Sequence, residues 1–192
     1  VKEEAYQKEL GSLVELFGHL QSSAGEAAVQ FSGSLTSPQY GVERVAFLND
    51  LTSKMSETTE LPTIREIEGL WFELQREMIA SGQVVSFDTN VIDPDGESSA
   101  CNVTRVGLFN AVCDGKYLEY ISSTGDYAFL PRQPEGRYTK TAKKVGNADV
   151  GELVKFGVDP TGPQGGSLLA NLIQTPSLLE RAQQGREVGY AI

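Results

Sequence analysis

The stretch Leu61-Pro-Thr-Ile-Arg-Glu-Ile-Glu-Gly-Leu-Trp-Phe-Glu-Leu-Gln-Arg-Glu-Met-Ile-Ala-Ser-Gly82 is one helix with both ends written in, and it divides the chain into two kinds of structure. Thr63 is placed to cap the N-terminus, and Glu66 three residues later completes a capping box. Pro62 blocks extension backwards, and Gly82 offers the left-handed residue that ends a helix. Ile64, Ile67, Leu70, Trp71, Leu74 and Met78 recur at three- and four-residue steps and form one apolar stripe. Arg65, Glu66, Glu68, Glu73, Gln75 and Arg76 mostly take the other side. Trp71, the only tryptophan, lies in mid-stripe, so its burial against the strands that follow is expected to organise a core.

Upstream the pattern is helical throughout. Tyr6, Leu10, Leu13, Phe17, Leu20, Ala24, Ala27 and Phe31 keep strict 4-3 spacing, an a/d seam that favours a coiled coil. Gly11, Gly18 and Gly25 each weaken that helix by about 1 kcal/mol relative to Ala. Ser32 to Ser37 breaks it, and Ser37-Pro38 opens a second helix reaching about Ser56, with Val42, Val45, Leu48, Leu51 and Met55 as its apolar positions. Residues 1–60 therefore read as a coiled-coil-like arm with a helical hairpin. The seam's partner is either a neighbouring copy or the chain's own second helix.

Downstream the period changes to two. Val85, Phe87, Thr89 and Val91 alternate with polar neighbours, as a half-buried strand requires. Asp93-Pro-Asp-Gly-Glu97 is a turn, and a second strand is expected from Ser99 to Val112 with a bulge near Thr104 or Arg105. Asp114-Gly115 makes a tight hairpin into a third strand, Lys116 to Ser122, and Ser123-Thr-Gly-Asp126 turns into a fourth, Tyr127 to Pro131. Four sequential antiparallel strands form a meander. Tyr138 to Val145 reads as a short helix, Leu153 to Val158 as an edge strand, and Ser167 to Gly185 as two short C-terminal helices. The fold class is α+β, with residues 61–192 as its α+β domain.

Charge narrows the function. Sixteen Lys and Arg against 26 Asp and Glu leave a net −10, which disfavours binding to phosphate backbones and to anionic membrane surfaces. Catalytic and metal-ligating patterns do not assemble. His19 is the only histidine and lies off the seam of its helix. Cys101 and Cys113 lack metal-ligand spacing, and on one extended strand they would stand about 40 Å apart at about 3.3 Å per residue. Both are expected as free thiols unless the strand folds back sharply between them. Asp93, Asp95 and Glu97 superficially suggest calcium, but the twelfth position from Asp93 is Thr104 rather than Glu, so they read as turn residues. Gly162-Pro-Gln-Gly-Gly-Ser167 lacks the lysine of a phosphate loop. Tyr117, Tyr120, Tyr127 and Phe129 could line a ligand platform or serve as sheet aromatics. No catalytic, cofactor-binding or metal-binding residue is assigned, and an enzyme is not expected.

Several ordered segments carry a family resemblance. Leu61-Pro-Thr-Ile-Arg-Glu-Ile-Glu with Leu70-Trp71, Arg105-Val-Gly-Leu-Phe-Asn-Ala-Val112, Asp159-Pro-Thr161, Gly166-Ser-Leu-Leu169, Gln174-Thr-Pro-Ser-Leu178 and Gln183-Gln-Gly185 with Gly189-Tyr190 are the segments concerned. Together they resemble the extended periplasmic N-terminal region of ExbB/TolQ/MotA-type proton-channel proteins, the TtpC-like components of TonB systems. The resemblance covers about 61–192. It implies a non-enzymatic periplasmic interaction domain, anchored to the inner membrane just beyond Ile192. It also implies a TonB-type energy transducer and ExbB/ExbD-like inner-membrane proteins as partners, in coupling proton-motive force to outer-membrane uptake of iron-siderophore or haem. The missing initiator Met and the abrupt end on Gly189-Tyr-Ala-Ile192 fit a fragment of such a protein. The alternative is a small-ligand-binding module built on the strands and the Gly-rich loop before Ser167.

Overall fold

The structure, a computed structural model, describes residues 2–57 and 61–161. The order is α1 (Lys2–Ser32), α2 (Ser37–Tyr40), α3 (Glu43–Glu57), α4 (Ile64–Ser81), β1 (Val84–Ile92), β2 (Ser98–Val106), β3 (Asn110–Cys113), β4 (Lys116–Ile121), β5 (Asp126–Phe129) and α5 (Gly136–Gly146). The α+β class is therefore observed. The described residues form two compact units, one holding those through Val84 with Val106–Leu108 and Tyr120–Tyr127, the other Val85–Arg105, Phe109–Glu119 and residues 128–161. The expected C-terminal helices and the Gly162–Ser167 loop lie outside the described residues. Among the described residues no helix is long and apolar enough to cross a membrane.

In the helical unit, the second half of the α1 seam is internal packing. Ala24, Ala27, Ala28 and Phe31 bury against Leu48 and Leu51 of α3 and Leu70 of α4, with Leu20, Val45, Phe47, Met55 and Leu74 around them. Three alanines in this row let the helices approach closely. The helix expected over Ser37–Ser56 is two helices, because Gly41 takes a left-handed φ of 83° that ends α2 before α3 begins.

The five strands close into a barrel in the order β1-β2-β3-β4-β5, rather than an open four-stranded meander. The expected second strand is two strands. Gly107 adopts φ 56°, and residues 107–109 reverse the chain from β2 into β3. The parity break read from Val106 and Leu108 marks that reversal, not a bulge. It brings Cys101 and Cys113 to a Cα separation of 6.4 Å, where they form a disulfide, so neither is the free thiol expected.

Other turns follow their chemistry. Asp93 Oδ1 accepts the N–H groups of Asp95 (3.0 Å) and Glu97 (2.9 Å), which gives Asp93 a turn-forming role between β1 and β2. Asp114 and Gly115 both take positive φ between β3 and β4, which pair antiparallel with Val112 opposite Tyr117. Residues 152–159 carry no strand. Phe156 instead stacks on Tyr117 at 5.6 Å, and the Tyr117 hydroxyl donates to the Gly157 carbonyl at 2.9 Å. α5 lies over β3, burying Ala142 beside Val112 and Tyr117. The Arg137, Lys140, Lys143 and Lys144 side of α5 faces solvent.

Candidate interaction surface

α4 is held on one side and open on the other. Thr63 and Glu66 make the full capping box, with the Thr63 N–H donating to Glu66 Oε2 at 2.6 Å, whereas Gly82 ends the helix at φ −95° and not in the left-handed conformation expected. Lys54 of α3 adds two bonds to the same carboxylate at 3.0 and 3.1 Å. The Thr63 backbone bond first, then Lys54 and the Thr63 hydroxyl, hold the Glu66 carboxyl down at about 2. Three residues on, Gly69 passes the Phe47 ring so closely that a Cβ would stand 2.7 Å from it. Any larger residue there would require the Phe47 ring to shift.

The second half of α4 is fastened by charge. Arg44 is 3% exposed and donates through Nη1 to Glu77 Oε2 at 2.8 Å, and through Nη2 to Thr36 Oγ1 (2.6 Å) and Ser37 Oγ (3.0 Å). The Thr36 hydroxyl donates to Glu77 Oε2 at 2.6 Å, and Ser34 Oγ donates to Oε1. The Arg44 guanidinium also lies 4.7 Å over the Phe31 ring. One turn back, Glu73 pairs with Arg76 at 2.5 Å, and the Arg76 guanidinium lies 4.5 Å from the Tyr40 ring centre and 5.4 Å from that of Phe72. Glu73 and Glu77 are buried. Glu73, which sequence periodicity put on the solvent side, instead points inward beside its i+3 partner Arg76, and Glu77 points inward to Arg44 of α3.

That choice splits the apolar stripe, keeping Leu70 and Leu74 in the core and turning the rest outward. Trp71 is 61% exposed, so the expectation that it organises the core is corrected. Ile64, Phe72, Met78 and Ile79 are also exposed, and Ile67 narrowly so. At about 100° per residue, Ile64, Ile67, Trp71 and Met78 share one strip opposite Glu73 and Ala80. A contiguous apolar face of this kind on a folded domain marks an interaction site. Its tryptophan, pre-positioned on a helix, is the residue type that most often dominates binding energy.

The remaining sequence candidates are spent on structure. His19 is exposed on α1 beside Glu15. Tyr117 is buried, which pushes its phenol up to about 12. Tyr127 donates to the Leu35 carbonyl and meets Tyr120 edge-on at 6.3 Å, while Phe129 carries the Lys116 ammonium 5.2 Å from its ring centre. Cys101, Cys113 and Asp114 are close enough to suggest a metal, but the two thiols are committed to each other. Two of the resemblance segments meet in one joint. Asn110 Oδ1 accepts the Asp159 N–H at 2.8 Å, and Asp159 Oδ1 accepts the Thr161 N–H (2.9 Å) and hydroxyl (2.6 Å). Sequence periodicity missed the Arg44–Glu77 cluster. Its one legible signal is the run Ser34, Thr36, Ser37 ahead of Arg44, a concentration of hydroxyls near a cation.

Comparison with known proteins brings no match: no family model, no curated protein and no solved structure matches the chain.

Proposed function

We propose that this chain is a non-enzymatic periplasmic interaction domain of an ExbB-like inner-membrane component in a TonB-type energy-transduction complex. The observation that carries the interaction reading is the exposed Trp71 face of α4, held rigid from behind by the capping box and the Arg44–Glu77 pair. Two further observations support the setting. A disulfide is favoured in oxidising compartments such as the periplasm. The Asn110–Asp159 joint also gives two of the resemblance segments a shared structural reason to exist.

In this reading the domain is anchored to the inner membrane beyond Ile192. It presents surfaces to a TonB-type transducer and to ExbB/ExbD-like proteins, helping couple proton-motive force to outer-membrane uptake of iron-siderophore or haem. The part of α1 beyond α3 is a coiled-coil-type arm that packs on another helix. The small-ligand alternative loses its aromatic platform, since Tyr117, Tyr127 and Phe129 are engaged in packing. The test compares capture of a TonB-type periplasmic domain by the full-length protein with a thermal-shift panel of small ligands. Capture, together with loss of TonB-dependent uptake when residues 1–161 are deleted in frame, is expected. Stabilisation by a small ligand with neither effect would overturn the proposal.

A further inference from the structure

We infer that the outward strip of α4 is the docking site for the projecting N-terminal half of α1 from a second copy of this chain. The inference rests on reading that strip as an interaction surface and is independent of the TonB assignment. The helical unit carries two apolar strips with helix-pairing periodicity that nothing among the described residues covers. One is Ile64, Ile67, Trp71 and Met78 on α4. The other runs through Leu13 on α1, flanked by Leu16 and leading into half-buried Phe17. Each needs a partner helix whose apolar residues repeat at three and four, and each has what the other lacks.

The lengths agree. Gly25 of α1 lies 3.7 Å from the Thr52 side chain of α3, measured from an ideal Cβ position, and the described α3 runs to Glu57. The antiparallel α1 therefore outruns α3 near Leu20, and about 18 residues, roughly 27 Å at 1.5 Å per residue, project beyond it. α4 has 18 residues, again about 27 Å. An isolated helix of that length is marginal in water, so the arm needs a partner.

Among the described residues, a chain does not satisfy both strips by itself. α1 is one unbroken helix whose second half is packed against α3, in the cluster that Leu70 joins from the inner side of α4. The same rod cannot also bend round to the outer side. Nor is the α4 strip fenced against an acidic arm. Glu66, Glu73 and Glu77 are engaged by Lys54, Arg76 and Arg44, which leaves Glu68 as the one other acid of α4, at the strip's edge. The two patches differ, so the contact is head-to-tail. Every copy that donates its arm keeps an open α4 strip, and such contacts propagate into rings or open chains.

Two paired variants of the 192-residue chain test this by sedimentation velocity up to about 1 mM, the weak end of specific association. Leu13→Glu with Leu16→Glu removes the arm, and Trp71→Glu with Met78→Glu removes the strip. All four positions are exposed, so both variants are expected to keep the parent's circular dichroism and melting temperature. The parent's mass should rise with concentration beyond a dimer. Each variant alone should stay monomeric, and an equimolar mixture should form a one-to-one dimer and stop there. Self-association of the strip variant alone would mean that arms pair with arms, and would overturn the inference. So would a mixture that stays monomeric, or a parent that does. Cross-linking gives a second reading that needs no disruption: a mixture of Leu16→Cys and Gln75→Cys chains, treated with a short bismaleimide, should join position 16 to position 75. A product joining 16 to 16 alone would refute it.

Discussion

Replacing Glu77 by Ala removes the acceptor around which the α1–α2 connection, α3 and α4 are joined. Three donors lose it: Arg44 Nη1 at 2.8 Å, the Thr36 hydroxyl at 2.6 Å and Ser34 Oγ. Thr36 and Ser34 can still bond to each other, but the Arg44 charge stays buried at 3% exposure, with two hydroxyls as its remaining polar partners. Breaking a buried pair from one side costs about 3–5 kcal/mol, most of it the uncompensated charge. In a chain of this size each kcal/mol moves the melting temperature by about 2–4 °C, so a fall on the order of 6–20 °C is expected. Urea unfolding should show the loss at an unchanged slope. The companion variant, Arg44→Met with Glu77→Leu, removes both charges and should recover most of the loss, since apolar replacement of a buried pair is often neutral or better. A single variant that loses less than about 1 kcal/mol, or a double variant no better than the single, would refute the reasoning that charge turns α4.

The other predictions concern the same elements. Trp71→Ala should change stability by no more than about 0.5 kcal/mol, as an exposed substitution does, where a buried tryptophan would cost about 3–5 kcal/mol; a large fall in melting temperature would place the ring in a core. Thiol titration of the denatured, unreduced protein should find no free cysteine. Reduction should cost about 3 kcal/mol for a bridge spanning 12 positions, and two titratable thiols before reduction would contradict the fold-back at Gly107. Glu66 has its carboxyl lowered from 4.5 to about 2 in the folded chain. Its contribution is therefore present above about pH 4.5 and lost as the pH falls towards 2. Glu66→Gln should flatten that part of the pH–stability curve, and an unchanged curve would remove the carboxylate from the cap.

What the sequence determined by itself is local. Thr63 and Glu66 encode the start of α4 because a capping box needs two residue types at one fixed spacing. Asp93, Gly96, Asp114 and Gly115 encode turns because few residues tolerate those backbone angles or bond their own chain that way. The change of period at Gln83 encodes the passage from helix to strand. Tertiary structure decided which side of each element faces in. An apolar stripe states that a helix has a face to bury, but not whether its own chain or another molecule buries it. In α4 the buried Arg44 of α3 draws Glu77 inward, a long-range electrostatic condition that no local period carries. Barrel closure and the Cys101–Cys113 bridge likewise depend on the reversal at Gly107. A glycine permits a left-handed φ without requiring one, and there the pairing of β2 with β3 made the choice.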